Sequence, residues 1–212
     1  MGGDLEKIEW LKERLAQPLP GTGAHELMAA RVKPMPHLIP YDARPSAVLS
    51  ALFMHKDTLH TLLIKRAEDG KAHSGQVSFP GGRQELSDDD LAATALREAY
   101  EEVGIIPAEV EILGGLTPLY IPVSNFIVHP FIGYTARRPS YRINNKEVAR
   151  IIEIPLQELL HPDRKTKIEV TSPADASFIR TVPAYTLPDG TVIWGATAMI
   201  FSEFQVLLGE YQ

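Results

Sequence analysis

The chain contains no cysteine. Disulfides, cysteine-based zinc sites and thiol nucleophiles are therefore excluded together, and a reducing compartment suits the sequence. Basic residues are in the minority, 21 Lys and Arg against 27 Asp and Glu, for a net charge of −6. That balance repels phosphate backbones, so no nucleic acid partner is expected. No apolar run approaches the roughly 20 residues of a bilayer-spanning helix, and the N-terminus lacks a basic start followed by an apolar core. The expectation is a cytoplasmic protein with no membrane partner. Met1-Gly2 does not make a myristoylation site, because Glu6 stands where Ser or Thr is wanted. There is no G-x-x-x-x-G-K-[ST], G-x-S-x-G or H-E-x-x-H; Gly21-Thr22-Gly23 lacks the third glycine of a dinucleotide loop, and His25-Glu26 has no second histidine at zincin spacing. His, carboxylate, hydroxyl and amine chemistry remains.

With 212 residues, 44% of them hydrophobic, the chain suits one globular domain with an appended segment. Leu5, Ile8, Leu11 and Leu15 recur at helical spacing until Pro18 to Gly23 stop the pattern. From Ala24 to Pro45 a stretch with Pro34, Pro36 and Pro40 reads as an irregular wrap across the surface. The division expected is an N-terminal helix and surface-wrapping extension over residues 1–44 and a main domain over 45–212. Ser46 to Met54 and Leu59 to Arg66 predict a hairpin around Lys56-Asp57. Val77 to Phe79 predicts a short strand broken by Pro80-Gly81-Gly82. Asp88, Asp89 and Asp90 open a helix that Gly104 ends as the left-handed residue. Further strands are predicted near Val110–Leu116, Ile127–Thr135, Val148–Ile154, Lys167–Val170, Phe178–Tyr185 and Thr191–Trp194, with a last helix over Ala196–Leu208. Strands interrupted by one strong helix and closed by another indicate an α/β fold with a mixed sheet and helices on its faces.

The informative segment is Arg97-Glu98-Ala99-Tyr100-Glu101-Glu102-Val103-Gly104-Ile105. At the helical repeat, Glu98, Glu101 and Glu102 fall within an arc of about 100°. Like charges so close cost a few tenths of a kcal/mol per pair, and anions at a helix C-terminus oppose the macrodipole. Such a cluster is either an exposed acidic face or a site for a hard divalent cation, which takes carboxylate oxygens as ligands.

Gly81-Gly82 before the helix, Arg97 leading the acids and Gly104 closing them resemble the signature box of the Nudix hydrolases. The second half of the box is matched residue for residue from Arg97 to Ile105; in the first half Asp88 stands at the place of the early acid, with one residue too many between it and Arg97. Leu62-Leu63-Ile64-Lys65-Arg66-Ala67, Lys71, Gly75 and Phe79-Pro80-Gly81-Gly82 are similar to the stretch that precedes the box in coenzyme A pyrophosphatases, with Ile64 in place of threonine and Lys71 in place of arginine. Ile193-Trp194-Gly195-Ala196-Thr197 resembles a segment of the same branch.

The resemblance implies a Nudix-type α/β/α sandwich and metal-dependent attack of water on the diphosphate of coenzyme A or an acyl derivative. Another nucleoside diphosphate, such as ADP-ribose or a dinucleotide, is the alternative substrate, and a non-catalytic nucleotide-binding module the alternative function. It further implies that Glu98, Glu101 and Glu102, with the carbonyl of Gly82, hold Mg²⁺ or Mn²⁺, and that Arg97 braces the loop through an early acid. Asp88 and Asp89 compete for that bond, ahead of Glu85. Glu98 and Glu147 compete as the general base. Arg66 and Lys71 are the cations expected near the substrate phosphates, since an acidic site alone holds a polyanion poorly. The partner expected is a small molecule, and a homo-oligomer is left open.

Overall fold

The structure is a computed structural model that describes residues 2–30, 39–68, 75–172 and 175–211. Pro34, Pro36 and Lys71, and the side chain of Leu5, lie outside the described residues. The predicted first helix is α1 (Gly2–Leu15), and a short α2 (Thr22–Glu26) follows it within the segment that had no predicted helix. The predicted hairpin is formed by β1 (Arg44–His55) and β2 (Thr58–Arg66). Lys56 and Asp57 both take left-handed conformations, φ 49° and 60°, as the two central residues of a hairpin turn that follows the strand twist do.

The hairpin strands pair from His55↔Thr58 to Leu52↔Thr61 and then part. The segment after residue 76 fills the gap: β3 (Val77–Ser78) pairs with β2, and β4 (Gly81–Arg83) pairs with β1. The break predicted at Pro80-Gly81-Gly82 is therefore narrower than expected. The chain changes partner at Phe79-Pro80, where the Pro80 carbonyl accepts from Leu49 N at 2.9 Å, and the two glycines are themselves strand.

Helix α3 (Leu91–Val103) comes next, followed by β5 (Val110–Gly115), β6 (Leu119–Ile121), β7 (Phe126–Thr135), β8 (Val148–Pro155) and the short α4 (Leu156–Leu160). The main sheet runs β3-β2-β1-β7-β5, with β8 also on β2 and β6 also on β7. It is mixed, because β1 and β7 are parallel while β1 and β2, β2 and β8, and β5 and β7 are antiparallel. A smaller antiparallel sheet contains β9 (Lys165–Ser172), β10 (Asp175–Thr186) and β11 (Val192–Trp194), and α5 (Gly195–Leu208) closes the chain.

Alternation along β1 sends Ala47, Leu49, Ala51 and Phe53 to one face, where with Leu62 and Ile64 they meet Ala95, Ala99 and Val103 of α3. The small alanines allow α3 to lie close to the sheet. Leu52 and Leu63 point the other way, into a second core with Leu11 and Leu15 of α1, Met28, and Phe201 and Phe204 of α5. Helix, sheet and helix make three layers. On this second face Glu203, fully buried, accepts from Gly21 N and Thr117 Oγ1 through Oε1 and from Thr117 N through Oε2, which also meets His25 Nε2 at 3.0 Å. Burial raises the Glu203 pKa, but these bonds outweigh it and leave the carboxyl below its ordinary value. The knot ties the start of α2 and the loop after β5 to α5.

Candidate active site on helix α3

Helix α3 is capped at both ends by its own sequence. Asp90 Oδ1 accepts from Ala93 N at 2.7 Å, and Gly104 turns left-handed at φ 80° while its N–H returns to the Tyr100 carbonyl. A side chain at Gly104 would also strike the passing strap, with its Cβ 2.8 Å from Arg142 N. That strap, residues 142–148, satisfies two of the carbonyls at the helix end: Arg142 N donates to Val103 O at 2.8 Å and Asn144 N to Glu102 O at 2.9 Å.

Arg97 takes Asp88 as its partner, not Asp89 or Glu85. Nε donates to Oδ1 at 2.8 Å and Nη2 to Oδ2 at 3.0 Å, a bidentate pair. The same Nη2 reaches Arg83 O, while Asp88 Oδ2 also accepts from Glu85 N and Thr94 Oγ1. Hydrogen bonding to Arg97 is the chief cause that holds the Asp88 carboxyl well below its usual range. The extra residue before Arg97 is thus absorbed in the 84–90 turn without moving the early acid away.

The three glutamates separate by environment. Glu102 is 1% exposed, and its Oε2 accepts from Gly81 N at 2.9 Å while Oε1 lies 3.6 Å from Arg66 Nη1. Burial pushes its pKa up to about 7, against the opposing influence of the Gly81 N–H and Arg66. Glu98 is raised too, by burial first, with Arg97 opposing and the charges of Glu101 and Glu147 adding to it. Glu101 stands at the rim, half exposed, and Arg97 Nη1 lies between Glu98 Oε1 at 3.0 Å and Glu101 Oε2 at 3.2 Å.

Glycine is required where β4 crosses the helix. A Cβ at Gly82 would lie 2.5 Å from Glu98 Oε1, and one at Gly81 would lie 2.6 Å from Val48 Cα. Sequence reasoning missed the Gly81 N–H bond to Glu102; the first glycine of the pair is its only local sign. Glu147 ends the turn just before β8, one residue short of the strand start expected for it, its N–H bonded to Asn144 O and its Oε1 to Asn144 Nδ2, and its charge acts on both Glu98 and Glu102. The structure therefore brings Arg66, Gly82, Arg97, Glu98, Glu101, Glu102 and Glu147 to one region.

Among the described residues no three His, Asp or Glu side chains converge into a metal cluster, since Arg97 separates Glu98 from Glu101. The chemistry of the set nevertheless fits a hard divalent cation. The charge of Glu147 raises the proton affinity of Glu98 and Glu102, and the Gly82 backbone passes directly over Glu98, so close that a Cβ there would overlap its carboxylate. A cation there would offset the burial of negative charge.

In this α/β/α sandwich a Gly-Gly strand overlies the acidic helix. The NUDIX domain matches residues 43–173, and the chain belongs to the Nudix hydrolase family. It is 34% identical over 170 residues to a protein of Pectobacterium atrosepticum described as the uncharacterized Nudix hydrolase NudL, covering 80% of this chain and 85% of that one. A Yersinia enterocolitica NudL is 38% identical over 151 residues, covering 71% and 68%. A MutT/nudix family protein from Enterococcus faecalis shares the fold at 15% identity, with a TM-score of 0.52 over 84% of this chain and 66% of the other. Nudix hydrolases in general use divalent metal ions. Among the described residues no helix is long and apolar enough to cross a membrane.

Proposed function

We propose that this Nudix hydrolase cleaves the diphosphate of coenzyme A or acyl-coenzyme A, giving 3′,5′-ADP and 4′-phosphopantetheine or its acyl form. The observation that carries this reading is the approach of Arg66 to Glu102, 3.6 Å from Nη1 to Oε1. It joins the strand bearing the coenzyme A-type stretch to the acidic helix, so a cation stands beside the carboxylates. The departure at Ile64 does not count against it, because Ile64 is buried among Ala99, Val103 and Val148; the change alters packing under the site and not a group facing substrate.

In this reading Glu98, Glu101 and Glu102, with the Gly82 carbonyl, hold Mg²⁺ or Mn²⁺. Held there, such an ion would supply charge neutralisation for the diphosphate. Arg66 and Lys71 bind phosphate, and the Arg97 bonds to Asp88 and the Arg83 carbonyl fix the loop over the helix. A water attacks one phosphorus, and a carboxylate accepts its proton. Glu98 and Glu147 are the two candidates for that step, since a base must lie within one hydrogen bond, or one water, of the nucleophile. Residues 1–44 are the N-terminal extension, whose Leu11, Leu15 and Met28 join the second core, and the catalytic domain spans 45–212.

The test is hydrolysis of coenzyme A, acetyl-coenzyme A, ADP-ribose and a diadenosine polyphosphate with Mg²⁺ or Mn²⁺, the products being identified by mass. Coenzyme A or its thioester is expected to be preferred by about tenfold, about 1.4 kcal/mol of transition-state discrimination. Equal rates across the panel would point to a different diphosphate substrate. No turnover of any compound would leave a binding module.

A further inference from the structure

We propose that Asn144 is a positioning residue, holding the Glu147 carboxylate toward Glu98 and Glu102. The inference rests on the reading of Glu147 as a working carboxylate of the site, and it adds a residue to which that reading gives no part.

The backbone around Asn144 is settled without its side chain. Asn144 N is bonded to the last turn of α3 through Glu102 O, at 2.9 Å, and Asn144 O receives both Glu147 N at 3.0 Å and Val148 N at 2.9 Å. Glu147 O in turn accepts from Ala67 N at 2.8 Å, one residue past Arg66. The backbone of Glu147 is thus tied to α3 on one side and to the end of β2 on the other. What these ties leave open is the direction of an exposed, flexible glutamate side chain.

The amide of Asn144 supplies that direction. Its Oδ1 accepts from Lys146 N at 3.2 Å, and its Nδ2 donates to Glu147 Oε1 at 3.1 Å. Because a backbone N–H only donates and a carboxylate only accepts, the two partners accept one orientation of the amide. Aspartate at this position would keep the bond to Lys146 N but turn an acceptor toward the carboxylate. Alanine would lose both bonds. The chemistry therefore calls for an amide of asparagine length, with its donor end on the side of the active carboxylates.

The test is a double-variant cycle on the full chain, with Asn144→Ala and Glu147→Gln alone and together, and Asn144→Asp as a second probe. Two quantities are read: turnover of whichever diphosphate in the panel is cleaved fastest, and Mn²⁺ affinity by calorimetry without substrate. Asn144→Ala is expected to lower kcat about tenfold with KM nearly unchanged, and to weaken Mn²⁺ binding by about threefold. In the Glu147→Gln background it should do neither, because residues that act through one another are not additive. Asn144→Asp, which preserves the loop bond, should lose as much turnover as Asn144→Ala.

Independent, multiplying losses in the double variant would overturn the proposal, as would native turnover in Asn144→Asp. Should coenzyme A prove a poor substrate, the functional reading falls while the cycle, run on the best diphosphate and on Mn²⁺, still decides the role of Asn144. Should no diphosphate be cleaved, the Mn²⁺ cycle decides alone, and unchanged Mn²⁺ affinity in both single variants would reject Asn144.

Discussion

Arg97 and Asp88 grip each other through two parallel hydrogen bonds, Nε to Oδ1 at 2.8 Å and Nη2 to Oδ2 at 3.0 Å. The pair fastens the turn after β4 to the helix that carries the acids. Removing the carboxylate leaves a largely buried guanidinium without its main partner. Asp88→Ala is therefore expected to cost about 3 kcal/mol in chemical denaturation and to reduce turnover, whereas Asp89→Ala should stay within about 0.5 kcal/mol of the native protein. Equal effects of the two would contradict the geometry.

The same pair sets an acid limit. The Asp88 carboxyl is held below its ordinary value in the folded chain, so the unfolded chain binds the extra proton as pH falls. Its contribution is complete above the usual carboxylate range and is lost as pH drops below it. Unfolding followed from neutral pH to about pH 3 should show the native protein losing more stability than Asp88→Asn.

Glu102 works in the opposite sense. Its pKa is raised from 4.5 to about 7 by burial, so between those values the folded, metal-free chain holds a proton that the unfolded chain has released. Stability should fall as pH rises through that window, by an amount on the order of 3 kcal/mol. Glu102→Gln should abolish the pH dependence, melt higher than the native chain in chelator above pH 7, and lose turnover. A native protein with a flat melting profile across this range would contradict the burial argument.

Gly82→Ala places a methyl group 2.5 Å from Glu98 Oε1. Either β4 or the carboxylate must shift. With Glu98 in the role proposed for it, a displacement on that scale costs about a hundredfold in rate, so kcat should fall steeply while the far-ultraviolet spectrum remains native. Activity close to native would mean that the Glu98 position is not critical.

Glu203 tests the opposite face. It accepts from Gly21 N, Thr117 N and Thr117 Oγ1 and meets His25, all remote from α3. Glu203→Ala should cost about 3 to 5 kcal/mol in unfolding, with turnover per folded molecule preserved. A selective loss of kcat at full stability would instead connect this knot to catalysis.

Much of this arrangement was legible in the residues. The helix opened by the acids Asp88 to Asp90 and stopped by Gly104, and the two-residue turn at Lys56-Asp57, were readable, because caps and turns depend on neighbours within a few positions, while the choice of Asp90 as the cap came from the structure. Helix α2 was not legible: Thr22–Glu26 is too short to display a period, and Ala24 and His25 are buried by contact with α5. Gly81-Gly82 was read as a break because glycine is rare in strands, yet here close approach to Val48 and Glu98 requires it.

The sequence by itself set Arg97, Glu98, Glu101 and Glu102 on one helix, by a repeat that needs no other part of the chain, and their resemblance to the Nudix box, with Gly81-Gly82 and Gly104, implied the type of chemistry. Tertiary structure decided which aspartate Arg97 holds, that Gly81 donates to Glu102, and that Asn144 faces Glu147. These contacts depend on how β2, β4 and the 142–148 strap are brought against α3. Their positions follow from strand register and the packing of the two cores, which join residues far apart in the chain and leave no local period to read.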